Sequence, residues 1–327
     1  MNIQNVSDFD VCLYHSGCPD GIGAAWCIWR EHKINMKNEV AKPLIIYGVK
    51  YNEPYPEDII RGKKVIIVDF SYDSSSIKKM CEIAEYIFIL DHHDIAQRQL
   101  EGLYLLNFSY IFDMSRSGVQ ITWDYCYPNQ PRPWFVEVIA DRDLWKWTYP
   151  DSKELGKALY QFGWYNFEKL EELFTLSVSA NTDTTIKLQK TFLKQGTILV
   201  NLEKKDISYA VNKSILCEFQ GYKARITSCP HLIRSEVGRA ICEKGDCVFS
   251  ITWRYDFEAD QWWVSLRGSK TCPVPLNVLC EKFSGGGHQR ACGFAIHGSH
   301  SKEWINASDE KRSKMAYGNL HNYFIIK

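Results

Sequence analysis

Short apolar runs that stop abruptly at ionisable residues recur through the first half of the chain. Val11-Cys12-Leu13-Tyr14 leads into His15, Leu44-Ile45-Ile46-Tyr47 follows, Val65-Ile66-Ile67-Val68 ends at Asp69, and Tyr86-Ile87-Phe88-Ile89-Leu90 ends at Asp91-His92-His93-Asp94. These runs are continuous rather than alternating and rich in β-branched and aromatic residues. That is the habit of parallel strands covered on both faces. Helical patterns lie between them: Ala24, Ala25, Trp26, Ile28 and Trp29, then residues 75–84, then residues 119–125. Strands alternating with helices predict an α/β domain, a parallel sheet with helices on both faces. The apolar stretch 135–140 runs into Asp141-Arg142-Asp143, and amphipathic helical core patterns follow to about residue 180. Residues 184–205 place Ile186, Leu188, Phe192, Leu193 and Leu199 at helical spacing with lysines opposite, which predicts one long linker helix. The predicted organisation is a catalytic domain over 1–183, the linker over 184–205 and a smaller C-terminal α/β domain over 206–327. The second domain is read from a strand at 222–226, a helix at 235–243, a hairpin of 248–255 with 262–267, and a helix at 276–283.

Bulk properties narrow the classes. A length of 327 residues exceeds a typical single domain, which supports two. The formal net charge is zero and the pI is near 7.1, so no global field favours long nucleic acid; contact with nucleic acid is expected to be local and short. Twelve cysteines show no CxxC pair, and Cys12, Cys27 and Cys81 fall in apolar segments. This predicts free thiols in a reducing compartment, the cytoplasm. The polar, acidic first ten residues do not read as a signal peptide. No apolar run approaches the roughly 20 residues of a membrane span, so no membrane association is expected.

The candidate chemistry sits where the strands stop. Four ionisable groups at 91–94 call for partners, because desolvated charges without them are costly. A divalent ion would supply one; the plainer reading is a loop in which an aspartate caps the next helix. His15-Ser16-Gly17-Cys18-Pro19-Asp20 forms a tight strand-to-helix turn aiming His15 and Asp20 at one point. Asp69 either caps a helix or joins them. Asp141 and Asp143 bring one or two further carboxylates. Arg116 and Ser117, before an apolar helix, suit a phosphate or a plain cap equally. In the second domain, Arg267 follows a strand, and Gly285-Gly286-Gly287-His288 with Arg290 lets backbone amides approach an anion. Asn306-Ala307-Ser308 is a glycosylation sequon without expected use.

In this order, His15…Asp20-Gly21, Asp69, Asp91-His92-His93, Ile139-Ala140-Asp141, Ser265-Leu266-Arg267 and Gly285-Gly286-Gly287-His288 resemble the motifs of the DHH phosphoesterases with a C-terminal DHHA1 domain. That family includes RecJ-type exonucleases, nanoRNases and nucleotide phosphodiesterases. The resemblance implies that Asp20, Asp69, His92 and Asp141 hold one divalent ion, Mn²⁺ or Mg²⁺, and that His15 with Asp69 holds a second. It implies catalytic roles for Asp91 and His93, and substrate binding by Arg267, Gly285, Gly286, Gly287 and His288. The implied activity is hydrolysis of phosphodiester bonds in short oligonucleotides or small nucleotides. Alternatives are a phosphomonoesterase or polyphosphatase, or a nucleotide-binding protein weakened in catalysis. Cys18 stands where the family commonly has a first aspartate; it is expected to face the site without binding, leaving His15 and water there, the alternative being that it recruits a softer ion.

Overall fold

The computed structural model describes residues 5–37, 43–51, 53–179, 182–269, 271–297 and 325–326, so the 306–308 sequon lies outside them. The chain forms two compact units, Met1–Val200 and Asn201–Lys327.

The first unit is built on a five-stranded, all-parallel sheet. Its strands are β1 (Val11–His15), β2 (Ile45–Val49), β3 (Lys64–Val68), β4 (Tyr86–Asp91) and β5 (Phe108–Phe112), in the order β2-β1-β3-β4-β5. Helices α1 (Pro19–Lys37), α2 (Glu57–Ile60), α3 (Ser74–Ile83) and α4 (Asp94–Leu100) connect them, and α5 (Gly118–Cys126) follows the last strand. Successive strand side chains point to opposite faces. Val65, Ile67, Ile87 and Ile89 therefore pack with Ile77 and Met80 of α3 on one side. Ile66, Val68, Phe88 and Leu90 pack with Ala24, Ala25 and Ile28 of α1 on the other. Burying both faces is why these runs are continuously apolar. The apolar pattern does not mark β5: its burial is broken, with Tyr110 and Ile111 exposed, as befits an edge strand.

Residues 135–140 form most of α6 (Trp134–Asp143), and α7 (Ser152–Gln161) and α8 (Phe167–Ser179) follow. They enclose an aromatic core around Trp26, Trp123, Phe135 and Phe174. The long helix α9 runs from Thr182 to Lys213, further than its apolar stripe predicts in both directions. No helix among the described residues is long and apolar enough to cross a membrane.

The second unit carries β6 (Ile215–Phe219), β7 (Tyr222–Ser228), α10 (Arg234–Glu243), β8 (Phe249–Asp256), β9 (Gln261–Gly268), α11 (Leu276–Glu281), β10 (Gly286–His288), β11 (Ala291–His297) and β12 (Ile325–Ile326). Its seven-stranded sheet has the order β10-β11-β9-β8-β7-β6-β12. Only β7 and β8 run parallel, joined through α10; the other pairs are antiparallel. β10 corrects the reading of the glycine run as an open anion loop. Gly286, Gly287 and His288 pair with Gly293, Cys292 and Ala291.

Candidate metal centre

Strand register assembles the site. Tyr14 lies opposite Val68, and Val68 opposite Leu90, so the next residue of each strand brings His15, Asp69 and Asp91 side by side at the carboxyl edge. This edge is where open α/β sheets place ligands. Asp69 leaves β3 in the left-handed region, at φ 53°, while its amide donates to the Leu90 carbonyl at 2.9 Å. That backbone conformation costs a non-glycine residue roughly 1–2 kcal/mol and turns the carboxylate back over the sheet edge.

Two glycines let helices close on this edge. A Cβ on Gly21 would meet the His15 carbonyl oxygen at 2.2 Å, so the start of α1 reaches β1 only because no side chain intervenes. A Cβ on Gly118 would meet Asp69 Cβ at 2.6 Å and Asp20 Oδ2 at 2.9 Å. The close approach lets the Gly118 and Val119 amides donate to Asp20 Oδ2 and Oδ1, at 2.6 and 3.0 Å. These amides, which the sequence suits to a phosphate, hold a carboxylate of the chain instead. Arg116 is likewise engaged, by Asp113 at 2.6 Å and Asp124 at 2.7 Å, and Ser117 is buried with its amide on Gln120. The phosphate reading of Arg116 and Ser117 is corrected accordingly.

His92 sits at the centre. Its Nε2 lies 3.1 Å from Asp69 Oδ1, 3.5 Å from Asp143 Oδ2 and 3.6 Å from Asp20 Oδ2. One ring nitrogen offers at most one proton to three carboxylates. Burial raises Asp20, and the charges of Asp69 and Asp143 raise it further; burial raises Asp143 as well. Burial also pushes Asp69 upward, but His15 and His92 outweigh it and hold that carboxyl below the usual carboxylate range. Burial lowers His92, yet its hydrogen bond to Asp69 and the three surrounding carboxylates push it well above an ordinary imidazole. Asp69 Oδ2, Asp91 Oδ2, Asp143 Oδ2 and His15 Nδ1 are buried with no hydrogen-bond partner among the described residues. The oxygen and imidazole donors gathered at this edge fit a divalent ion. Among the described residues of this unit, three groups can hold one: Asp20-His92-Asp143, His15-Cys18-Asp69 and Asp69-Asp91-His92-His93, each with donor atoms within 4.8 Å of one another. Asp69 belongs to two of them, with Oδ1 toward His92 and Oδ2 3.5 Å from His15 Nδ1.

Asp141 is a correction. Its Oδ1 accepts from the Thr148 amide at 2.8 Å, the Thr148 hydroxyl at 3.0 Å and the Tyr149 amide at 3.2 Å, and its Oδ2 accepts from the Ser152 hydroxyl. It braces the turn into α7. Positions two apart on a helix are rotated by about 200°, so only one of Asp141 and Asp143 can face the sheet edge. Asp143 does. Asp91 Oδ1 accepts from the His92 amide at 2.8 Å and pairs with His93 Nδ1 at 2.6 Å. Burial lowers His93, but Asp91 outweighs it and raises the imidazole to about 9. Tyr51, which nothing in the sequence marks, packs edge-on to His15 with ring centroids 5.1 Å apart.

In the second unit, Arg267 donates to the Leu266 carbonyl at 2.8 Å, the Ser235 hydroxyl at 3.0 Å and the Cys292 carbonyl at 3.4 Å. Burial pushes its pKa down to about 10, with the charge of Arg234 acting the same way. Arg290 is spent on the Val274 carbonyl at 2.9 Å. A Cβ on Gly285 or Gly287 would meet a β11 carbonyl at 2.3 or 2.6 Å, so packing demands those glycines. Gly286 is open, and His288 lies half-buried beside it.

No family model matches the chain. An uncharacterized protein, R106, of Acanthamoeba polyphaga mimivirus is 29% identical over 313 residues, covering 91% of this chain and 70% of that protein. Among solved structures, a DHH domain described as a member of the s1p family of ribosomal proteins superposes with a TM-score of 0.54 at 14% identity, covering 96% of this chain and 87% of the other. RecJ from Thermus thermophilus in complex with Mn²⁺ gives a TM-score of 0.48 at 11% identity, covering 96% and 52%. The five-stranded parallel sheet and the likeness to that DHH domain agree with the resemblance read from the motifs: the chain has a DHH-type fold.

Proposed function

We propose that the protein is a divalent-metal-dependent phosphoesterase acting on phosphodiester bonds of short oligonucleotides or small nucleotides. The observation that carries this is one imidazole nitrogen facing two buried carboxylates, Asp20 and Asp69, and the half-buried Asp143, beside further oxygens at the sheet edge that make no hydrogen bond among the described residues. Asp20, Asp69, His92 and Asp143 would hold one ion, and His15 with Asp69 would hold a second. When bound, such ions neutralise charge on a phosphoryl group and acidify an attacking water. His93, kept protonated by Asp91, donates a hydrogen bond to a phosphoryl oxygen. In the second unit, Arg267, a half-buried guanidinium with no carboxylate partner among the described residues, is assigned to phosphate binding with Gly286 and His288. A neutral overall charge suits a short substrate held by local contacts.

The test is to incubate the protein with labelled oligonucleotides from dimers upward, cyclic dinucleotides, a 3′-phosphonucleotide and a polyphosphate. Each is run with Mn²⁺, Mg²⁺ or chelator, for the native chain and Asp143→Asn. Metal-dependent release of mononucleotides from the shortest oligomers, lost in Asp143→Asn, is expected. Phosphate release from the last two substrates alone would replace the reading with a phosphomonoesterase or polyphosphatase, and no turnover of any substrate would overturn it.

A further inference from the structure

The turn between β1 and α1 carries one thiol, Cys18, whose surroundings differ from those of the other cysteines in this unit. Cys12 and Cys27 lie among the apolar side chains of the two cores. Cys18 belongs to none of the unit's apolar clusters, and the charges of Asp69, Asp143 and Asp20 act on its sulfur. A sulfur among carboxylates makes little sense as packing. Its Sγ, a ring nitrogen of His15 and a carboxylate oxygen of Asp69 all lie within 4.8 Å of one another. Two of these partners present buried atoms with no hydrogen-bond partner among the described residues, His15 Nδ1 and Asp69 Oδ2, the latter on a side chain 2% exposed.

The turn is also fixed in place. The Ser16 amide and hydroxyl both donate to the Val49 carbonyl, at 2.9 and 3.1 Å, and the Ile22 amide donates to the Cys18 carbonyl at 3.0 Å. Gly21 packs directly on the His15 carbonyl. Cys18 is therefore held by a closed turn, its sulfur within 4.8 Å of His15 and Asp69, whose Nδ1 and Oδ2 face each other at 3.5 Å.

We propose that Cys18 is itself a ligand: His15, Cys18 and Asp69 form a mixed imidazole, thiolate and carboxylate site that selects a borderline transition ion, such as Zn²⁺ or Co²⁺, over Mg²⁺. This rests on the metal-dependent reading of the same edge and deepens it by naming the class of ion. Mg²⁺ prefers an octahedron of hard oxygen ligands and gives up water reluctantly, whereas a thiolate is soft. On coordination the sulfur releases its proton to solvent and the ion releases a water, so charge and atoms balance. The proposal departs from the sequence-based expectation that Cys18 faces the site without binding.

The metal-free full chain, Cys18→Ser and Cys18→Asp are titrated with Co²⁺, following both binding and the near-ultraviolet sulfur-to-cobalt charge-transfer absorption. The native chain should develop the band in step with binding. Cys18→Ser should lose it, and in Cys18→Asp Mg²⁺ should displace Co²⁺ at about tenfold lower concentration. In the unaltered chain, Zn²⁺ should protect Cys18 from alkylation as mapped on its peptide, a readout that needs no variant to fold. Co²⁺ binding without the band, a band retained in Cys18→Ser, or an unprotected Cys18 would overturn the proposal. No metal binding by either the native chain or Cys18→Asp would overturn the metal-centre reading itself, and this proposal with it.

Discussion

The carboxyl edge of the N-terminal sheet and the Arg267 region of the C-terminal sheet are both rich in buried polar groups, and they treat them in opposite ways. At the first, carboxylates crowd one imidazole and several buried atoms make no hydrogen bond among the described residues. At the second, the guanidinium of Arg267 is bonded to two carbonyls and a hydroxyl, Arg290 is bonded to a carbonyl, and the glycines fill tight packing positions. A region whose hydrogen bonds are closed within the chain is stable as it stands. A region left with buried oxygens that make no hydrogen bond carries a standing cost, which protonation or a bound cation relieves. The contrast is why the proposed chemistry is placed at the first region, while the second, closed within the chain, is proposed only to bind.

The strongest way to break this comparison is Asp69→Asn. One carboxylate serves two clusters, so its amide should weaken both and reduce hydrolysis by more than about a hundredfold. Unchanged turnover and unchanged metal content would show that the edge is not the chemical centre. Within the same helix, Asp143 and Asp141 sharpen the comparison. Asp143→Asn should lose bound metal while leaving the thermal transition of the metal-free chain unchanged or raised, because a buried repulsion is relieved. Asp141→Asn should keep metal and lose about 1–3 kcal/mol of stability, since it leaves donors of the α7 turn poorly paired. Calorimetry with metal analysis of both variants decides it; the reverse pattern would restore Asp141 as the ligand.

Arg267→Ala probes the other region. Contacts made equally in ground and transition states appear in KM, so KM should rise about tenfold with kcat little changed. A collapsed kcat with unchanged KM would place Arg267 in the chemistry.

The smallest effect concerns His93. Its imidazole is raised to about 9 by Asp91, against an ordinary 6.5. A raised histidine stabilises the fold fully below its unfolded value and loses that contribution as pH rises through its folded value. The metal-free chain should therefore lose up to about 3 kcal/mol between pH 6.5 and 9 from this pair, a loss absent in His93→Gln. Denaturant midpoints across that range measure it, and a flat profile in the unaltered chain would mean that His93 is neutral.

Much of the scaffold is legible in the sequence. Strands buried on both faces must be continuously apolar, so β1, β3 and β4 announce themselves, and ionisable residues directly after them mark the sheet edge. The DHH motif order carries His15, Asp20, Asp69 and His92 as well, because those positions lie beside strands whose register is already implied. What the chain alone could not decide is the partner of each polar group. Asp141 and Asp143 read alike in sequence, and only the phase of α6 against the sheet turns one inward. Arg116 and the α5 amides look open until Asp113, Asp124 and Asp20 arrive from elsewhere to claim them. The glycine run reads as a loop because its demand for small residues comes from β11, across a hairpin it does not itself encode. Periodicity records how much of an element is buried. Which donor meets which acceptor is decided by packing between elements distant in the chain, and there the tertiary structure has the last word.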